Sequence, residues 1–221
     1  MSDNEDELDW RALVEYAGIE DVPRGQQDAF IRSARAEIQT QLRSALDQLR
    51  SAFPVEFGSI KAVRDPDDMS EVFSELLDLI PEDKRPLVRI PAGISEFLLL
   101  THDTEASPDA DFGLPVVGGD IHPTESSLVR IEMDYDEELD VIGQEMGFWV
   151  CLVNGSKKSK VAFGNVYYGD LEGKEAVAPV SESFEAFFVQ WSEFMCQAFA
   201  DANSQEEKKE ALQNFYTQFE Q

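Results

Sequence analysis

Phe184, Phe187, Phe188, Trp191, Phe194, Met195 and Ala198 recur at steps of three and four, the spacing of a single helical face. A face so wide and so aromatic cannot stay in water, so this helix must lie on another apolar surface. Ser183 stands just before it as a suitable N-cap. The preceding chain offers the matching surface. Gly147 to Val153, a turn at Asn154 and Gly155, Val161 to Tyr168 and Glu175 to Pro179 read as three strands. The first two are too rich in β-branched and aromatic residues to be solvated on both faces. A sheet covered by a helix is the expected centre of the molecule.

Elsewhere the pattern is mainly helical. Trp10, Leu13, Val14 and Ala17 have helix spacing and are closed by Gly18. A longer helix is predicted from Arg24 to Ala52, with Phe30, Ala34, Ile38, Leu42, Ala45, Leu46, Leu49 and Phe53 as its stripe and Pro54 as its stop. Its other faces carry Arg24, Arg32, Arg35, Arg43 and Arg50, which are expected to be solvated. Val55 to Val63 reads as a short strand, and a helix opens after Asp65, capped by Asp67 or Asp68 and ended by Pro81. Ile94, Phe97 and Leu98 mark another helix beginning near Pro91, against which Gly93 counts. Ser127 to Asp134 alternates as a strand with Val129, Ile131 and Met133 on one side, and Gln205 to Phe219 forms a last helix facing inward with Leu212, Phe215, Tyr216 and Phe219.

The fold class expected is therefore α+β, a mainly antiparallel sheet packed against helices, with a helical N-terminal extension. Residues 1–9 are expected to be a disordered acidic tail, 10–54 a helical region and 55–221 the α+β domain with its C-terminal helices. No apolar run has transmembrane length and the start, Met1-Ser-Asp-Asn-Glu-Asp-Glu, is the opposite of a basic leader, so a cytoplasmic location is expected. Cys151 and Cys196 have no CxxC spacing and no neighbouring histidine, and read as small buried apolar residues.

Charge is the most unusual bulk property. Asp and Glu number 45 against 18 Lys and Arg, a formal net charge of -27. Such a field repels nucleic acid and acidic membranes and steers basic partners inward, although acids spread over a salt-adapted surface give the same total. The acids concentrate between residues 103 and 140. Asp109, Asp111, Asp120, Glu132, Asp134, Asp136, Glu137, Glu138 and Asp140 are the candidate partner-binding residues, with Tyr135 as an aromatic anchor among them. Phe112, Trp149, Tyr167 and Tyr168 are further aromatics to be divided between interface and core, with core expected for Trp149 and the tyrosines.

Catalytic signals are sparse. His102 and His122 are the only histidines, and no GxSxG, Walker-type loop, HExxH or GxGxxG follows the expected elements. Asp120, His122 and Glu125 offer oxygen and nitrogen donors for a divalent metal; the alternative is a plain turn with an exposed His122. Asp134 to Asp140 is acid-rich but lacks the glycine and the ligand spacing of an EF-hand loop. No cofactor and no enzymatic activity is expected.

From about residue 87 to 195 the chain resembles the SUKH superfamily, the α+β domain of Smi/Knr-type and many toxin-immunity proteins. Ile90-Pro-Ala-Gly-Ile-Ser-Glu-Phe-Leu-Leu-Leu100 is similar to that family's helix entry, Phe148-Trp-Val-Cys-Leu-Val153 with Gly164-Asn-Val-Tyr-Tyr168 to its central hairpin, and Val180-Ser-Glu-Ser-Phe-Glu-Ala-Phe-Phe188 to its closing helix. Thr101-His-Asp-Thr104 replaces the usual Asn-Gly, and the helical N-terminus is longer than the family's. The resemblance implies a non-catalytic domain that binds and blocks another protein. Combined with the charge, it predicts an immunity protein against a basic toxin such as a nuclease. The alternatives are a DNA mimic that sequesters a DNA-binding protein, and a small metal-dependent hydrolase around Asp120 and His122.

Overall fold

One antiparallel sheet is formed by β1 (Val116–Ile121), β2 (Leu128–Glu132), β3 (Met146–Cys151), β4 (Val166–Asp170) and β5 (Ala178–Ser181), each strand lying beside the next in sequence. The computed structural model describes residues 24–57, 80–83, 85–101, 110–133, 135, 139, 146–153, 161–170, 172–173 and 177–219. The expected acidic tail, the helix from Trp10, the helix after Asp65 and the residues Asp109, Asp134, Asp136, Glu137, Glu138 and Asp140 lie outside them. The helices are α1 (Arg24–Ala52), a single turn α2 (Pro54–Phe57), α3 (Ala92–Thr101), α4 (Phe184–Phe194) and α5 (Gln205–Thr217). This is the α+β class expected from the sequence.

Register explains how the sheet divides its side chains. Val129 pairs with Val150 and Ile131 with Phe148, while Phe148 pairs with Tyr168 and Trp149 with Tyr167. Because successive side chains alternate, Val129, Ile131, Phe148, Val150, Val166 and Tyr168 join the core under the helices. Leu128, Trp149, Cys151 and Tyr167 form a smaller cluster on the opposite face with Val161. Two strands are shorter than their composition suggests. Val161 to Asn165 is turn rather than strand, since Gly164 adopts φ 79° and donates its N–H to the Cys151 carbonyl; β5 begins only at Ala178.

The helical layer follows the apolar periodicity closely. Along α1, Ala34, Ile38, Leu42, Ala45, Leu46 and Leu49 are buried, and the helix packs on both α3 and α4. It therefore belongs to the same core as the sheet. Pro54 ends α1 as expected, but then opens α2, because a proline fits a first helical turn; the strand expected from Val55 does not start there. Phe53 and Phe57 drop from this junction into an aromatic cluster, with Phe53 and Phe112 in edge contact at 4.8 Å and Phe112 against Phe199 at 5.1 Å.

α4 is capped as its sequence promised, with the Ser183 hydroxyl accepting from the Ala186 N–H at 3.3 Å. Phe184, Phe187, Phe188, Trp191 and Met195 are buried. Each such side chain contributes about 1.5–3 kcal/mol when removed from water. Met195 to Phe199 then forms a π-helical turn. The wider turn shifts the phase by one residue, so Phe199 enters the core and Ala198, expected on the buried face, is exposed.

Candidate functional site

Four of the ten expected partner-binding residues fall among the described ones, and they have different environments. Asp120 is 67% exposed at the end of β1, with Arg130 Nη1 on β2 at 3.4 Å from its Oδ2. Glu132 is half-buried at the end of β2. Asp111 turns to α5, where it takes the Lys208 ammonium and the Gln205 amide, the latter at 3.2 Å. Tyr135 is half-buried, and its phenol oxygen accepts from Trp191 Nε1 at 3.2 Å and from the Tyr216 hydroxyl at 3.3 Å, so it ties α4 to α5. Burial raises its pKa to about 12, against the two hydrogen bonds. Phe112, Trp149, Tyr167 and Tyr168 are all buried.

His122 is buried, which corrects the expectation of an exposed ring. It packs edge-on against Trp149 at 4.8 Å, and its Nδ1 accepts from the backbone N–H groups of Thr124 at 3.3 Å and Glu125 at 3.2 Å. An Nδ1 that accepts leaves the proton on Nε2, which has no hydrogen-bond partner among the described residues. Desolvation lowers the imidazole pKa, while Glu125 and Asp170 pull it upward. The imidazole thus holds the β1–β2 turn together. Asp120, His122 and Glu125 do not converge, and among the described residues no group of three or more His, Cys, Asp or Glu side chains is placed to hold a metal ion.

Two buried carboxylates lie among the helices, and neither stood out in the sequence. Glu96 of α3 is inaccessible and receives Arg35 Nε on one oxygen and Gln39 Nε2 on the other, both at 2.6 Å. Arg35, expected to be solvated with the other α1 arginines, is instead half of a cross-helix clamp. Glu185, 2% exposed in the first turn of α4, presses against Gly93 so closely that a Cβ there would meet its Oε2 at 1.9 Å. That explains a glycine inside an otherwise apolar helix. Its Oε1 has no hydrogen-bond partner among the described residues, and burial raises its pKa despite bonds from its own backbone and Ser183.

Another surface feature is an open groove of about 420 Å³ between the end of α4 and α5. Its floor includes Phe194 and Phe215, stacked at 4.5 Å with planes 21° apart. Ala198 and Ala211 leave the space above the rings, and Glu207 and Glu210 stand on the rim. A helix face running through Glu207, Glu210, Asn214 and Gln218 was available in the sequence as the complement of the buried Leu212, Phe215 and Tyr216. What the sequence did not reveal was Ala198 in the wall, since the π turn put it there.

No family model, no curated protein and no solved structure matches this chain.

Proposed function

We propose that this protein is an acidic, non-catalytic binding domain of the immunity type, which binds and blocks a basic toxin such as a nuclease. The observation that carries the reading is the formal net charge of -27. A field of that sign raises the encounter rate with a positively charged partner and opposes approach to nucleic acid. A nuclease must present a basic cleft to its polyanionic substrate, so an acidic protein can occlude the same cleft. The resemblance of residues 87–195 to SUKH domains supplies the kind of partner. Support also comes from the exposed carboxylates of Asp120, Glu193, Glu206, Glu207 and Glu210. The binding residues proposed are Asp120 and Glu132 with the acid-rich stretch Asp134, Asp136, Glu137, Glu138 and Asp140. Asp111 and Tyr135 contribute through the fold, by their contacts with Lys208, Trp191 and Tyr216.

The test is affinity purification from the native cell followed by stopped-flow association with the basic protein recovered. An association rate that falls steeply between about 50 and 200 mM salt is expected, because exposed charges are screened within roughly a Debye length. Simultaneous reversal of Asp134, Asp136, Glu137 and Glu138 to lysine should slow association at least tenfold. Recovery of no basic partner, together with full biological effect in the reversed variant, sinks the reading. Competition by duplex DNA for the recovered partner would identify a DNA-binding target.

A further inference from the structure

The groove between α4 and α5 has a definite chemistry. Its floor is the half-buried ring of Phe194, stacked on the buried ring of Phe215, and the small side chains of Ala198 and Ala211 line it. Its charged lining is Glu207 and Glu210, with no Lys or Arg among the lining residues. The lysines of α5 point elsewhere: Lys208 reaches Asp111 and lies 5.4 Å from the centre of the Phe199 ring, and Lys209 does not line the groove. Both rim carboxylates are exposed, Glu207 while accepting from the Asn203 N–H at 2.6 Å, which fastens the start of α5. Glu193, Asp201 and Glu206 are exposed on the same helices and their connection, and extend the negative field around it.

Apolar rings between carboxylates select one kind of occupant. An acidic peptide or an anionic lipid surface is repelled by the rim, and a wholly polar cation gains nothing from the floor. A helix that carries apolar residues on one side and lysine or arginine beside them satisfies both, in the helix-in-groove manner. We infer that this groove is the docking site for a cationic amphipathic helix of the protein partner, with an aliphatic side chain over Phe194 and basic side chains facing Glu207 and Glu210. The inference rests on the acidic binding role proposed above and places part of that contact on the C-terminal helices, away from the acid-rich stretch 103–140.

The experiment is a titration of the full chain with a synthetic fourteen-residue Leu/Lys peptide arranged as an amphipathic helix, and with a scrambled peptide of the same composition. Binding is read by fluorescence anisotropy and by amide NMR shifts at about 150 mM salt, where screening acts within roughly 8 Å. The amphipathic peptide is expected to bind at least tenfold more tightly than the scrambled one and to shift the amides of Phe194, Ala211 and Phe215. Glu210→Lys, and separately Ala198→Trp to fill the groove, should each weaken it at least tenfold. Asp120→Lys, the same charge change on the sheet, should alter it less than twofold. Thermal melts of every variant confirm the fold. Equal binding of both peptides, or equal weakening by Glu210→Lys and Asp120→Lys, overturns the groove but leaves general attraction to cations standing. Binding of neither peptide, even at low salt, overturns the groove alone, because the acidic reading stands or falls with recovery of a basic partner.

Discussion

The two faces of the sheet are built to different standards. Under the helices, Phe148, Val150 and Tyr168 meet Phe187, Phe215, Tyr216 and their neighbours in a large aromatic core, where the phenol of Tyr135 accepts the Trp191 N–H. On the other face, Trp149 and His122 are just as buried, yet neither Trp149 Nε1 nor His122 Nε2 has a hydrogen-bond partner among the described residues. Among the described residues the cover there is the turn 122–125 with Val161 and Val177, and none of the described helices lies on it. Continuous helices bring long side chains that interlock and leave few polar groups stranded. Turns bring backbone groups that satisfy some partners and miss others. The larger share of stability should therefore reside on the helical face, while each side carries one pH-sensitive group, Glu185 among the helices and His122 under the turn.

The strongest way to break this contrast uses neighbouring residues of one strand. Phe148→Ala empties the helical face and is expected to cost about 3–5 kcal/mol in denaturant unfolding. Next is Tyr135→Phe, which strips the acceptor from Trp191 and Tyr216 and should cost about 1–3 kcal/mol by the same measurement. Trp149→Phe, beside Phe148 but on the other face, should cost under about 1 kcal/mol, since lost contact area is offset by removal of an unpaired donor. A loss as large as that of Phe148→Ala would mean that the two faces contribute equally.

The titrating groups sharpen the same comparison. Glu185 holds its proton more tightly in the folded state, so its contribution is present below its ordinary pKa of 4.5 and is lost as pH rises through the raised folded value. Glu185→Gln, which keeps the shape without the ionisation, is expected to raise the melting temperature at pH 7 and to leave it little changed at pH 4. The sign reverses for His122. Its lowered pKa means that stability is present above the ordinary 6.5 and is lost as pH falls through the folded value. His122→Asn, which retains an acceptor for the Thr124 and Glu125 N–H groups, should flatten that acid limb in a series of melts between pH 7 and 4.

Much of the architecture was legible because it is local. Ala34 to Leu49 advertise α1 by periodicity, Pro54 marks its end, and Ser183 marks the start of α4 by capping chemistry. The alternation of Leu128 to Glu132 separates the two faces of β2 before any partner strand is known. What escaped depends on residues distant in sequence or on a change of helical pitch. Arg35 and Glu96 are 61 positions apart, so nothing local distinguished this arginine from the others of α1. Gly93 looked like a flaw in α3 because its reason, Glu185, lies in α4. Ala198 and Phe199 exchanged places because a 3.6-residue wheel cannot anticipate a π turn. The groove needed two helices to be positioned first. His122 was taken for a surface residue because its partners are backbone N–H groups, which leave no trace in side-chain patterns.

The packing of α1 on α4 also has a consequence in time. Ribosomes add about 5–20 residues per second, so the roughly 130 residues that separate these helices take on the order of 10 s to emerge. During that interval the stripe of Ile38, Leu42, Leu46 and Leu49 has been made, and α3 after it, while α4, the other helix it packs on, has not. The nascent chain must then rely on its own charged faces, or on a chaperone, to keep that stripe from other apolar surfaces. A ribosome-stalling series with release points before and after Phe199 would locate the moment at which α1 becomes protected from protease.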